Sequence, residues 1–149
     1  DYVCWLGGQF VDSDDRRARF ASGIEKIELH ERALLARLLD GTAQMPGLRA
    51  MDGVQVFLDF EDLTKRDLIL AIGIDNLEHA QAVREYEKRG VIVYERVASS
   101  LYSKRMLDSF GLEGAVRVSP LHCHSAADID RFLRITREIC ETFAAAPAR

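Results

Sequence analysis

Three things that would narrow the reading at once are missing from this chain: a surplus of positive charge, a long apolar run, and an even set of cysteines. Twenty basic residues are interspersed with 24 acidic ones, for a net charge of −4 and a pI near 5.6. That balance gives no long-range attraction to polyanions. No basic arm or aromatic stacking motif offsets it, so nucleic acid is not an expected partner. Nothing approaches the ~20 apolar residues of a membrane span. Residues 1–6 carry no basic leader, so neither spanning nor secretion is expected, and the cytoplasm is the expected compartment. The three cysteines, Cys4, Cys123 and Cys140, are far apart and odd in number, which predicts reduced thiols rather than a disulfide framework. There is no internal repeat, and the glycine pair Gly7 and Gly8 is too little to make a phosphate loop.

What is present suits a globular unit. A chain of 149 residues, 48% of them hydrophobic, can bury one core and carry an additional element. A hydrophobic opening that includes Trp5 reads as a strip belonging to another domain. Residues 12–15 then supply cap candidates for a long helix with Phe20, Ile24, Ile27, Leu34, Leu35 and Leu38 at helical spacing, ended by Gly41. At roughly 25 residues, against about 11–12 for an average helix, it has the length to connect two bodies. Turn signals at Pro46, Gly47, Asp52 and Gly53 precede an alternating strand over 54–60.

Residues 68–74 are apolar throughout and predict a central strand buried on both faces. Asn76 is placed to cap a helix with Leu77, Ala80, Val83 and Tyr86 on its apolar stripe and Gly90 as its stop. Residues 91–97 predict a third strand. A short helix carrying Tyr102, Met106, Leu107 and Phe110 ends at Gly111 before a fourth strand. The expected fold is an α/β (α+β) sandwich: a small, mostly antiparallel four-stranded sheet with helices on one face, preceded by the long linking helix. The small-residue tail 144–149 is expected to be disordered.

The fourth strand holds the most informative residue. Val116 and Val118 alternate with Ala115, Arg117 and Ser119, which sets the Arg117 guanidinium on the polar face as a candidate carboxylate or phosphate receptor. The opposing reading is a solvated strand arginine paired with a neighbouring carboxylate. Ser125 and Asp128 form a capping box opening a last helix, with Ile129, Phe132, Leu133, Thr136, Ile139 and Phe143 on its apolar face. His122, Cys123 and His124 offer zinc-type ligands. No further spaced pair completes four positions, however, and neighbouring side chains diverge, so no metal is expected. His30 and His79 lie within helices and read as surface or satisfied core residues.

This unit resembles the C-terminal end of the class V aminotransferases, the fold-type I pyridoxal-phosphate (PLP) enzymes that include cysteine desulfurases and selenocysteine lyases. In that family an arginine on the last strand is followed by Ser or Gly, a short turn often reading Tyr-Asn-Thr, and a helix with an Ile/Val-Asp-Arg element. Here the series is Arg117, Ser119, residues 122–125, then Ile129, Asp130 and Arg131. Residues 82–93 are similar to the family's helix ending in Arg-Gly and the strand after it. The resemblance covers most of residues 47–143.

The resemblance implies that Arg117 binds the α-carboxylate of an amino-acid substrate, with Ser119 and His122 on the following loop as weaker candidates. It also implies a nucleophilic cysteine before the arginine. The corresponding region, Leu101 to Ser103, has none, and Cys123 lies after the arginine, so no catalytic residue is assigned. Tyr102 is a candidate for the site, although its i, i+4, i+8 series with Met106 and Phe110 favours a core tyrosine. Lys26, Lys65, Lys88 and Lys104 sit in charged contexts, and none follows the family's cofactor-lysine pattern. The expectation is therefore a C-terminal piece: residues 1–45 the end of a missing large domain plus a linking helix, and 46–143 the small domain. The parent would be a homodimeric PLP-dependent transferase or lyase, and the piece alone would be inactive. A free-standing dimeric binding or regulatory α/β module is the alternative.

Overall fold

A computed structural model describes residues 1–144. Helix α1 (Tyr2–Gly7) leads into the long α2 (Arg16–Asp40), a minimal hairpin β1 (Gly41–Thr42) and β2 (Met45–Pro46), and a 3-10 turn over Leu48–Ala50. Then follow β3 (Val54–Phe57), a second 3-10 turn over Leu63–Lys65, β4 (Leu70–Ile74), α3 (His79–Lys88) and β5 (Tyr94–Val97). Helix α4 (Leu101–Ser109), β6 (Gly114–Val118) and α5 (Ala126–Ala144) complete the order. The main sheet runs β3-β4-β6-β5 with every pairing antiparallel. This is the expected α+β sandwich, with the β1–β2 hairpin as an addition. The proposed disordered tail falls outside the described residues except for Ala144, which closes α5.

The helix ends follow their local chemistry. The Asp15 carboxylate accepts from the Arg17 and Ala18 amides and starts α2, while Gly41, at φ 75°, ends it in a conformation that costs a side chain energy. Ser125 and Asp128 cap α5 reciprocally: the Ser125 amide and hydroxyl both donate to Asp128 at 2.8 Å, and the Asp128 amide donates back to the Ser125 hydroxyl. Helix α3 departs from expectation. Its cap is Glu78, which accepts from the Gln81 amide, whereas Asn76 adopts φ 59° within the preceding turn, a left-handed role asparagine tolerates. Its stripe is also displaced: Ala82 and Tyr86 are buried and Ala80 only half so.

The core lies between one face of the sheet and helices α2, α3 and α5. Leu70, Ile72 and Ile74 of β4, and Val116 and Val118 of β6, meet Leu35, Leu38 and Leu39 of α2 and Leu133 and Ile139 of α5 in a single cluster. Full burial of each such side chain is worth ~1.5–3 kcal/mol. The Tyr86 ring stacks on Phe132 at 5.3 Å, and its hydroxyl bonds to Thr136 at 2.8 Å, so the largest buried side chain brings its polar tip to a partner. Strand β4 is central but packs its helix-side residues tightly on one face only. On the other face Ala71 and Gly73 are half-buried, and Ile69 just ahead of the strand is exposed.

The sequence elements singled out around the last helix turn out to be structural ties. Arg37 on α2 grips Asp130 in a bidentate pair at 2.7 and 2.8 Å, with the arginine as the main cause of a depressed Asp130 pKa. Arg131 donates to the carbonyls of Arg89 and Gly90, satisfying the C-terminal end of α3. At the other end, α1 is a short helix laid on the first half of α2 with Gly7 and Gly23 at the crossing, and Trp5 projects from it exposed.

Candidate functional site

The face of the sheet turned away from the three core helices carries the site. Strand pairing aligns Phe57, Ala71, Arg117 and Tyr94 in one row across β3, β4, β6 and β5. Arg117 thus stands in the middle of the sheet, flanked by a small residue on one side and an aromatic on the other. Its guanidinium carbon lies 5.6 Å from the centre of the Tyr94 ring, a cation–π contact that fixes the head group. Its Nε is buried and has no hydrogen-bond partner. A buried donor without a partner costs ~1–3 kcal/mol.

Arg117 opens into a cleft of about 670 Å³ between the sheet, α4 and the loop after β3. Its apolar wall includes Phe57, Leu58, Phe60, Ile69 and Met106. Leu58, Phe60, Ile69 and Met106 are about half exposed, so this sheet face is an apolar surface left open in the chain as it stands. Ion pairs hold the loop wall. Asp59 accepts from Arg49 at 2.7 and 2.8 Å and from the nearly buried Arg66 at 3.0 Å, and Arg49 reaches Asp40 as well. Hydrogen bonding from Arg49 is the largest cause of a depressed Asp59 pKa. Leu58 is set at φ 52°, in the left-handed region an L-residue enters only at a cost.

The candidates read from the sequence separate in space. Arg117 and Tyr102 both line the cleft. Tyr102 is 99% exposed at the start of α4, which corrects the core reading: the buried face of that helix is formed by Ser103 and Leu107 instead. Ser119 lies past the end of β6 and lines a different hollow, together with Pro120, Gly90 and Arg131. His122 faces the N-terminal helices, with its ring stacked on Tyr2 at 5.7 Å and its Nδ1 3.6 Å from Glu31. Cys123 is exposed on the same turn, and among the described residues no group of three or more acidic, histidine or cysteine side chains could hold a metal ion.

Arg96 was overlooked in the sequence. It lines the cleft beside Arg117, and the signal was the alternation of Tyr94, Glu95, Arg96 and Val97, which sends Tyr94 and Arg96 to one face.

The fold and cleft define a small, wholly antiparallel α+β unit with an arginine presented from its open sheet face. No protein-family model matches the sequence, and no curated protein matches it. Solved structures do share the fold. An apo cysteine desulfurase from Thermococcus onnurineus NA1 superposes with a TM-score of 0.67 at 18% identity, over 85% of this chain and 29% of that one. The cysteine desulfurase CsdA of Escherichia coli, in an S-sulfonic acid form, gives 0.62 at 15% identity over 90% and 33%. A NifS-like protein from Rickettsia africae ESF-5 gives 0.59 at 14% identity over 88% and 36%. The chain therefore spans about a third of the length of the cysteine desulfurases whose fold it shares. No helix among the described residues is long and apolar enough to cross a membrane.

Fold-type I enzymes need a lysine free to form a Schiff base with PLP and a cradle for its phosphate. The lysines here do not fit that role. Lys26, Lys65, Lys88 and Lys104 are ion-paired with Glu25, Asp62, Glu85 and Asp108, with side chains 34–79% exposed, so none stands in an enclosed site.

Proposed function

We propose that this chain is the C-terminal part of a PLP-dependent enzyme of the cysteine desulfurase-like class, acting on an amino acid whose α-carboxylate is bound by Arg117. The observation that carries the reading is the Arg117 guanidinium itself: ordered on Tyr94, its Nε buried and unpartnered, and facing an open cleft. A carboxylate accepting two parallel N–H bonds from the cleft side of the guanidinium would neutralise the cation in a geometry that a lysine at this position cannot match.

The cofactor and its lysine would belong to a large domain outside these residues, and that domain would cover the apolar sheet face around the cleft. This chain's contribution is orientation of the substrate, an effect of proximity rather than of acid–base chemistry. The 149 residues alone would have no turnover, and the parent would be a cytoplasmic homodimeric transferase or lyase.

The test uses the natural gene product. An intact mass near that of the longer structures, a PLP absorbance band, and loss of kcat/KM by about 10²-fold or more in Arg117→Ala, with Arg117→Lys also impaired, are the expected results. A mass of 16.8 kDa with no absorbance band would overturn the reading and favour a free-standing dimeric binding module built on the same cleft. Unchanged turnover in Arg117→Ala would remove the carboxylate role.

A further inference from the structure

The cleft holds a second cation with nothing to balance it. Four basic side chains line it: Lys65, Arg66, Arg96 and Arg117. Arg66 is neutralised by Asp59 at 3.0 Å, and Lys65 lies 3.4 Å from Asp62. Arg96 and Arg117 take part in no ion pair among the described residues, and the acid on the cleft wall, Asp67, is exposed and pairs with neither.

Register fixes how the two arginines stand. Arg117 is opposite Tyr94 and Arg96 is opposite Ala115, so they are diagonal neighbours on the open face of the β5–β6 pair. Such neighbours sit about 7–8 Å apart at the backbone. Two like charges so placed repel each other, and a ligand carrying two anionic groups relieves the arrangement.

We infer that Arg96 and Arg117 form a two-point receptor, and that the ligand is a dicarboxylate: an amino acid with a second acidic group on its side chain. This rests on the proposed role of Arg117 and adds a specificity-determining residue to it. Arg117, anchored on Tyr94 with its Nε buried, holds one carboxylate. Arg96, half-buried on the edge strand opposite Ala115, reaches the other. A side chain without an acid would leave Arg96 unpaired, so the cleft favours the dicarboxylate.

The test is direct titration of the full-length gene product with succinate, propionate and inorganic phosphate, followed by calorimetry and by the Nε–H resonances of the two arginines. Wild-type protein is expected to bind succinate at least about tenfold more tightly than propionate, and the Arg96 resonance should move with succinate alone. In Arg96→Met, succinate affinity should fall to the propionate level while propionate affinity is unchanged. Arg96→Lys, which keeps the charge and loses the fork, should fall between.

No preference for succinate in the wild type, or a preference that survives Arg96→Met, overturns the two-point receptor. So does phosphate binding more tightly than succinate, which would assign the pair to a single dianion. Loss of propionate binding in Arg117→Met alongside any of these leaves the Arg117 reading standing. Propionate binding unchanged in Arg117→Met removes that reading instead.

Discussion

Replacing Arg117 by methionine should make the protein more stable while destroying its cleft chemistry. Methionine keeps an unbranched apolar stem of similar reach, so most packing of the arginine's methylenes survives. It removes the buried Nε that has no partner, a cost of ~1–3 kcal/mol in the unliganded state. It also removes the cation–π contact with Tyr94, worth only ~0.5–1 kcal/mol because that ring is 59% exposed. The balance favours the variant by roughly 0–2.5 kcal/mol, with a central expectation of about 1 kcal/mol. For a chain of this size that raises Tm by ~2–4 °C. Urea unfolding of both proteins without ligand, with matched m-values to show that the same surface is exposed, measures the difference. A loss of more than ~1 kcal/mol in Arg117→Met would show that the guanidinium is a structural residue with a partner, and the argument for a ligand at this position would fail.

Further outcomes follow from the surrounding framework. Tyr86→Phe should cost ~0.5–1.5 kcal/mol in urea unfolding and not more, because Thr136 keeps its bond to the Phe132 carbonyl and is left without an orphaned hydroxyl. Gly7→Ala drives a methyl group into the backbone of Arg19 at the helix crossing, so trypsin should cut the start of α2 faster while amides of β4 and β6 keep their exchange protection. Burial pushes the Cys140 thiol up to about 11, so iodoacetamide at pH 8 should label the exposed Cys123 in the native protein and reach Cys140 only after unfolding. The Asp59 carboxylate is held below its ordinary value of 3.8 in the folded state, so its contribution is complete above that value and is lost as pH falls through the depressed one. Acid titration of Asp59→Asn should therefore show a shallower loss of stability below about pH 4 than wild type; an identical acid limb would remove Asp59 from the account.

Much of the architecture could be read from residue order because it follows from local rules. Asp15, Gly41, Gly90, Gly111 and the Ser125–Asp128 box mark element ends through side-chain-to-backbone bonds or positive φ, both set by a few adjacent residues. Period-two alternation on β6 placed Arg117 opposite the core face. Where local signals compete, long-range packing decided. Residues 68–74 are uniformly apolar, and only the sheet order showed that helices cover one face of β4 and the arginine cleft lies over the other. Tyr102 fitted a core series by spacing, yet α4 is rotated so that Ser103 and Leu107 face inward, a choice made by what the helix meets rather than by its own periodicity.

The sequence by itself determined the order of the main helices and strands, the caps of α2 and α5, the face on which Arg117 stands, and the family resemblance carried by Arg117 and by Ile129, Asp130 and Arg131. Tertiary structure decided what those residues do. It made Asp130 and Arg131 interhelical ties, since their partners Arg37, Arg89 and Gly90 lie 93, 42 and 41 positions away. It turned His122 toward Tyr2 and Glu31 and left the Arg117 Nε without a partner. Antiparallel register brought Arg96 beside Arg117 from another strand. Charge compensation depends on which groups meet in space, and pairing across a sheet is a property of the folded chain that no local stretch encodes.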